Sequence, residues 1–428
     1  MRRILLALLL TAAAAAAPPP PPLSALEFSP EVYTLEECMR LALRNNAEVQ
    51  TTEQGIAIAR QRVREAQFLF MPDVGVQASA TRYSARYPFA LRPNFRSILL
   101  FPSDEDNVFS GQAYLSMPLY EGRRNVNTLQ MSKAALLQAQ SRFDAARLDI
   151  LYGIKRVFYQ YLRAQEEAAA ADEAAARAEA LAKALSGRWE RLEGEALAAE
   201  LRSARAEARH TLELSRLDFL KGLNKELDAP VKVKGRLETA SADVDIQKAL
   251  IWATELRPEL KSQTYKAQMD ALAVNLTLGR RYPTVALGLD YELTGQKFPL
   301  KQNNWDATVG IKLPFALDYW TQHTQKVAEQ RQGEIARSEL QDQVELEVRR
   351  AFQELEYWQA EWPRREEEHA RMSALAEDAG RGAPASLEEL RSVLRLFKSR
   401  REALKAVTEH ILARARLERA VGRPLSAE

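Results

Sequence analysis

Four segments of the chain alternate apolar and polar residues with period two, and they fall into two pairs. In the first segment Val74, Val76, Ala78 and Ala80 oppose Gln77, Ser79 and Thr81; in the second Phe109, Ala113, Leu115, Met117 and Leu119 oppose Ser110, Gln112 and Ser116. In the third Val285, Leu287, Leu289, Tyr291 and Leu293 oppose Asp290 and Glu292. In the fourth Trp305, Ala307, Val309, Ile311, Leu313 and Phe315 oppose Asp306, Thr308 and Lys312. This predicts strands over about 73–83, 108–119, 284–294 and 305–315. Each is about ten residues long, the length of a strand that crosses a bilayer at a tilt. A half-buried strand of a water-soluble sheet alternates in the same way. The strand length and the aromatic residues near segment ends (Tyr83, Tyr120, Trp305 and Phe315) favour the membrane reading. Asp290, Glu292, Asp306 and Lys312 are then the candidates for the barrel lumen.

Helical periodicity fills most of the rest. An opening helix is predicted from Thr34 to Phe70, with Thr34 and Glu37 forming a capping box and Pro72 ending it. From Val126 to Leu192 an apolar residue recurs every seventh position: Leu129, Leu136, Phe143, Ile150, Val157, Ala164, Ala171, Ala178, Leu185 and Leu192. A heptad held this long means supercoiled helix packing over roughly 100 Å. Gly194 is the expected turn, and a return helix is expected from about Ala196 to Leu223. A second opening helix spans Asp245 to Arg281 and a second outgoing helix about Thr321 to Gly380, with a kink expected at Pro363. Its return partner is Leu387 to Val421, with Ser386 and Glu389 as capping box and Gly422 as C-cap.

The chain thus reads as one unit used twice: helix, strand, loop, strand, long helix, return helix. Pro258 lies 211 residues after Ala47, and Pro283 lies 211 after Pro72. The divisions are 1–22 (signal and proline-rich junction), 23–227 (first repeat, hairpin 126–223), 228–244 (connector around Pro230) and 245–428 (second repeat, hairpin 321–421).

Charge narrows the function. Lys and Arg total 60 against 58 Asp and Glu, interleaved along the helices, and no basic cluster of a nucleic-acid binder stands out. Cys38 is the single cysteine, the four histidines are scattered, and no phosphate-binding glycine loop occurs. No enzyme, cofactor or metal site is therefore expected. Arg2 and Arg3, the apolar run Ile4 to Leu10 and Ala12 to Ala17 match a secretory signal peptide.

The chain resembles the TolC-like outer-membrane factors. The resemblance rests on Leu35-Glu36-Glu37 with Leu41-Ala42-Leu43 and Asn45-Asn46, on Arg257-Pro258-Glu259-Leu260, on Met117-Pro118-Leu119-Tyr120-Glu121-Gly122, on Leu313-Pro314-Phe315, and on Gly222 and Gly422. It implies a mostly α protein with a transmembrane β contribution: a homotrimer with a 12-stranded barrel and a long α-helical tunnel. It implies a passive outer-membrane export duct for efflux or type I secretion, reaching into the periplasm and working with a periplasmic adaptor and an inner-membrane pump. The family's inner aperture falls on Glu388 and Arg391, where a reversed charge at the second position predicts ion pairing rather than an acidic ring. The adaptor-docking tips fall on Leu192, Gly194, Gly380 and Gly382. The alternative is a secreted or periplasmic coiled-coil scaffold or adaptor, which accounts for the helices but not for four barrel-length strands.

Overall fold

A computed structural model describes residues 31–82, 90–91, 98–99, 107–239, 241–295, 297–315, 318–380 and 386–425. The signal peptide and Gly382 lie outside these. Strand β1 (Glu31–Tyr33) leads into helices α1 (Leu35–Asn45) and α2 (Ala47–Phe68), then β2 (Asp73–Arg82). Two-residue strands β3 (Ala90–Leu91) and β4 (Ile98–Leu99) pair with each other and precede β5 (Asn107–Glu121). Helices α3 (Arg124–Ala184) and α4 (Arg188–Gly222) form the first hairpin. After β6 (Val231–Val233), the plan repeats as α5 (Ile246–Leu256), α6 (Pro258–Gly279), β7 (Thr284–Gly295), β8 (Gln302–Lys312), α7 (Tyr319–Gly380) and α8 (Leu387–Val421).

The duplication holds element by element. The starts of α5, α6 and β7 each follow those of α1, α2 and β2 by 211 residues, and α4 and α8 have 35 residues each. Helices α3 and α7, with 61 and 62 residues, are each about 90 Å long. Helix α7 stays helical through Pro363.

Each opening helix, expected as one piece, is two. Asn46 leaves the helical region, and its N–H still closes α1 on the Ala42 carbonyl at 2.9 Å. Its Oδ1 accepts from the Glu48 and Val49 amides at 2.8 and 3.4 Å and so starts α2. Arg257 is the equivalent break: the residue before proline favours extended backbone, and Pro258 sits at the first helical position, where its missing N–H costs nothing. The Thr34–Glu37 capping box forms in both directions.

The first hairpin turns at Leu185–Gly187, not at Gly194. Ser186 and Gly187 break the helix there, but Leu185 and Leu192 carry the heptad across the break and hide it. Gly194 is instead buried inside α4, where a Cβ would stand 2.5 Å from Leu185 Cδ1 and 3.5 Å from Leu390 Cδ2. It permits close helix approach.

Three cores hold the hairpins. At the connector end, Phe158, Tyr161 and Leu162 of α3 meet Phe219, Leu220 and Leu223 and the buried face of α1. The connector strand β6 pairs in parallel with β1, and the Tyr161 hydroxyl donates to the Val231 carbonyl at 3.0 Å. The second core joins α5, α7 and α8. The distal core is a seam of Ala171, Ala175, Ala178 and Ala182 on α3 against α4 and α8.

Arg257 ties together the helices of the second repeat where α5 meets α6. Its guanidinium donates to Glu259 at 3.0 and 3.1 Å, to Glu347 of α7 at 2.7 Å and to the Ala420 carbonyl of α8 at 3.2 Å. Arg419 shares Glu347 at 2.7 Å and also pairs with Asp149 of α3.

Candidate functional site

The long strands form one antiparallel sheet in the order β2-β5-β7-β8. Its register aligns the alternation of every strand. Gln77, Gln112, Glu292 and Asn304 stand in one row across the sheet, and Gly75, Tyr114, Asp290 and Asp306 in another. Lys312 stands opposite Thr284 on the same face. All four lumen candidates therefore share one polar face. The opposite face carries Val76, Ala113, Tyr291 and Trp305 in one row and Val74, Leu115, Leu289 and Ala307 in the next. Val76 is 83% exposed in the single chain.

The polar face is internally bonded. Gln112 receives a hydrogen bond from Gln77 and donates to Asp290 at 2.7 Å. Ser110 donates to Glu292 at 2.7 Å, and Thr308 donates to Asp306 at 3.1 Å. Gly75 makes room for the Tyr114 ring, since a Cβ there would fall 2.4 Å from its Cζ. The fourth strand starts earlier than expected, at Gln302, and ends at Lys312. Gln302 to Asn304 are polar on both faces and give no alternation, yet they pair with Glu292 to Thr294. Leu313 and Phe315 lie beyond the strand because Pro314 has no N–H to donate. Strand β5 extends to Glu121 with a bulge at Pro118–Tyr120.

Among the described residues both edges of this sheet are unpaired: β2 bonds only to β5, and β8 only to β7. The sheet is therefore incomplete on its own in a bilayer, where open edges have no partners.

At the far end of the helices, Arg391 of α8 bonds Glu388 one turn away at 2.6 Å and Glu193 of α4. Glu193, then Glu388, hold its guanidinium pKa above the ordinary value. Two further pairs tie α8 to the first hairpin, Arg177–Glu389 at 3.1 Å and Lys398–Glu200 at 2.8 Å. Sequence reading missed Glu193, because nothing local links residues so far apart in the chain. It also missed Trp189, which is 78% exposed beside the turn; an isolated exposed tryptophan was the available signal. Leu192 is exposed on α4, Gly194 is buried, and Gly380 is the last residue of α7.

Among the described residues no helix is long and apolar enough to cross a membrane, and no group of His, Cys, Asp and Glu is placed to hold a metal ion.

Residues 38–213 match the family of outer membrane efflux proteins. Solved structures agree over nearly the whole chain. The Campylobacter jejuni CmeC outer membrane channel superposes with a TM-score of 0.76 at 16% identity, covering 91% of this chain and 85% of that one. The outer membrane protein VceC of Vibrio cholerae gives 0.76 at 15% identity, covering 92% and 97%. The chain has the fold of an outer-membrane efflux channel. The open Neisseria gonorrhoeae MtrE outer membrane channel also superposes at 0.76, with 15% identity and coverage of 92% and 90%. No curated protein sequence matches the chain. In the frame of this fold, the two-faced sheet is one chain's share of a barrel, and the hairpins are its share of a helical tunnel.

Proposed function

We propose that this chain is the subunit of a passive outer-membrane export channel in a tripartite efflux or type I secretion system. The observation that carries it is a four-stranded sheet with one polar face, one apolar face and two open edges, mounted on helices about 90 Å long. Pairing β8 of one copy with β2 of the next closes the edges. Three copies give twelve strands, within the range of known barrels, while four strands alone are too few. The apolar face then meets lipid, and Asp290, Glu292, Asp306 and Lys312 line water. The helices carry the lumen through the periplasm.

Transport by such a duct is geometric, with the energy supplied by an inner-membrane pump. The ion pair of Arg391 with Glu193 joins the tip of α8 to the first hairpin, Glu388 steadies the same guanidinium from within α8, and a periplasmic adaptor opens that end. Trp189 and the α3–α4 turn form part of the docking surface, since an exposed aromatic side chain is a frequent anchor of protein interfaces.

Planar-bilayer conductance of the purified mature protein, measured beside its mass by light scattering, tests this. A trimer giving discrete single-channel steps is expected. A monomer or dimer that never inserts refutes it.

A further inference from the structure

The four connections between sheet and helices carry an unusual combination of side chains. Phe68, Phe70, Tyr120, Tyr282, Phe315 and Trp320 are all exposed there, Phe315 at 91% and Trp320 at 68%. Arginines cluster among them at one place. The Gly122–Arg124 turn touches the end of α6: a Cβ on Gly122 would stand 2.4 Å from the Gly279 carbonyl and 3.0 Å from Tyr282 Cβ. This brings the turn that carries Arg123 against the chain segment that carries Arg280 and Arg281. The Arg281 guanidinium lies 5.2 Å from the Tyr319 ring, and Tyr319 packs edge-on against Trp320 at 5.1 Å. Arg280 donates to Gln322, whose amide nitrogen in turn donates to Asp318, so that carboxylate reaches Arg280 only through the glutamine.

Arg124 is neutralised by Glu121 at 2.9 Å. Arg123, Arg280 and Arg281 have no carboxylate partner among the described residues. Three guanidinium groups without a direct carboxylate partner among the described residues, in a segment with exposed aromatic rings, form a surface for a phosphate carried on an apolar body.

We propose that this junction binds the headgroup of an anionic phospholipid from the periplasmic leaflet. The inference rests on reading the sheet as a membrane barrel, because only then does the junction lie at the boundary of lipid and water. There the rings sit at headgroup level and the arginines reach the phosphate. Each arginine near an anionic surface contributes a factor of about five in affinity, so three acting together give about a hundredfold.

The test uses delipidated trimer in neutral detergent. It is titrated with phosphatidylglycerol or with phosphatidylcholine of the same acyl chains, and bound lipid is counted by native mass spectrometry. The wild type is expected to retain phosphatidylglycerol at least tenfold more tightly, with the preference falling as salt rises. The triple variant R123Q/R280Q/R281Q is expected to bind both lipids alike. Equal binding by the wild type, or a preference that survives the triple substitution, overturns the proposal. Inorganic phosphate is the competing arm; if it displaces phosphatidylglycerol at equal concentration, the surface is a free-anion site and the lipid assignment fails. The variants are also reconstituted in phosphatidylcholine bilayers. Normal conductance there with no lipid preference in wild type removes only the lipid proposal, whereas failure of wild type to insert removes the channel reading itself.

Discussion

Replacing Arg257 with methionine tests how the α5–α6 break is held against α7 and α8. The arginine side chain is 5% exposed, and its partners Glu259 and Glu347 are about one-third exposed. Removing one member of a buried ion pair costs about 3–5 kcal/mol, because the remaining charges stay poorly solvated. The partial exposure of both carboxylates and the second partner of Glu347, Arg419, place this site at the low end, about 3 kcal/mol. The loss is local to the α5–α6 break and to the α7 and α8 segments it touches. Native-state amide hydrogen exchange reads it directly. Amides of residues 253–261 are expected to exchange roughly a hundredfold faster in R257M, since each 1.4 kcal/mol is about tenfold. The equivalent break at Asn46, which has no such arginine, serves as the internal control and is expected to keep its rate. Unchanged exchange at 253–261, or equal acceleration at both breaks, refutes the assignment of a local lock.

His410 supplies a pH dependence. It is fully buried, with Nδ1 2.6 Å from the Thr239 hydroxyl and the Trp362 ring against it, and burial, then Arg414, hold its pKa below 6.5. The unfolded chain binds the proton more readily, so its contribution is complete above about pH 6.5 and is lost as pH falls below that value; melting curves of H410Q are expected to be flatter than wild type between pH 7.5 and 5. Replacing Asp290 and Asp306 by lysine is expected to move the bilayer reversal potential under a salt gradient toward anion preference, and no movement refutes their place in the lumen. V76C is expected to react with a lipid-soluble maleimide and Q77C with a charged one, and the reverse pattern inverts the sheet. W189A is expected to fold and conduct normally but to lose affinity for its adaptor by about 2 kcal/mol or more, read by titration calorimetry.

Much of the architecture was legible because it rests on strict periods. Period two placed the sheet strands to within a few residues, and α8 follows its predicted bounds because Ser386 and Gly422 mark both ends chemically. What stayed hidden depends on contacts between distant residues. The break at Asn46 costs the chain no apolar periodicity, so only the side-chain caps reveal it. The Leu185–Gly187 turn is masked by leucines that continue the heptad on the other side. The pairing of Arg391 with Glu193 joins helices that sequence cannot place side by side. The polar start of β8 is visible only through its hydrogen-bonded neighbour.

The alanine seam of the distal hairpin has a mechanical consequence. Near the connector, Phe158, Phe219 and Leu220 interlock bulky groups, and displacing one helix means opening a large void. Toward the tip the same helix presents Ala171, Ala175 and Ala178, whose single methyl groups bury little area and leave shallow ridges. Stiffness therefore falls along the length of the tunnel. A sideways load applied at the tip bends the alanine half and leaves the aromatic half in place, much as a rod of graded thickness flexes at its thin end.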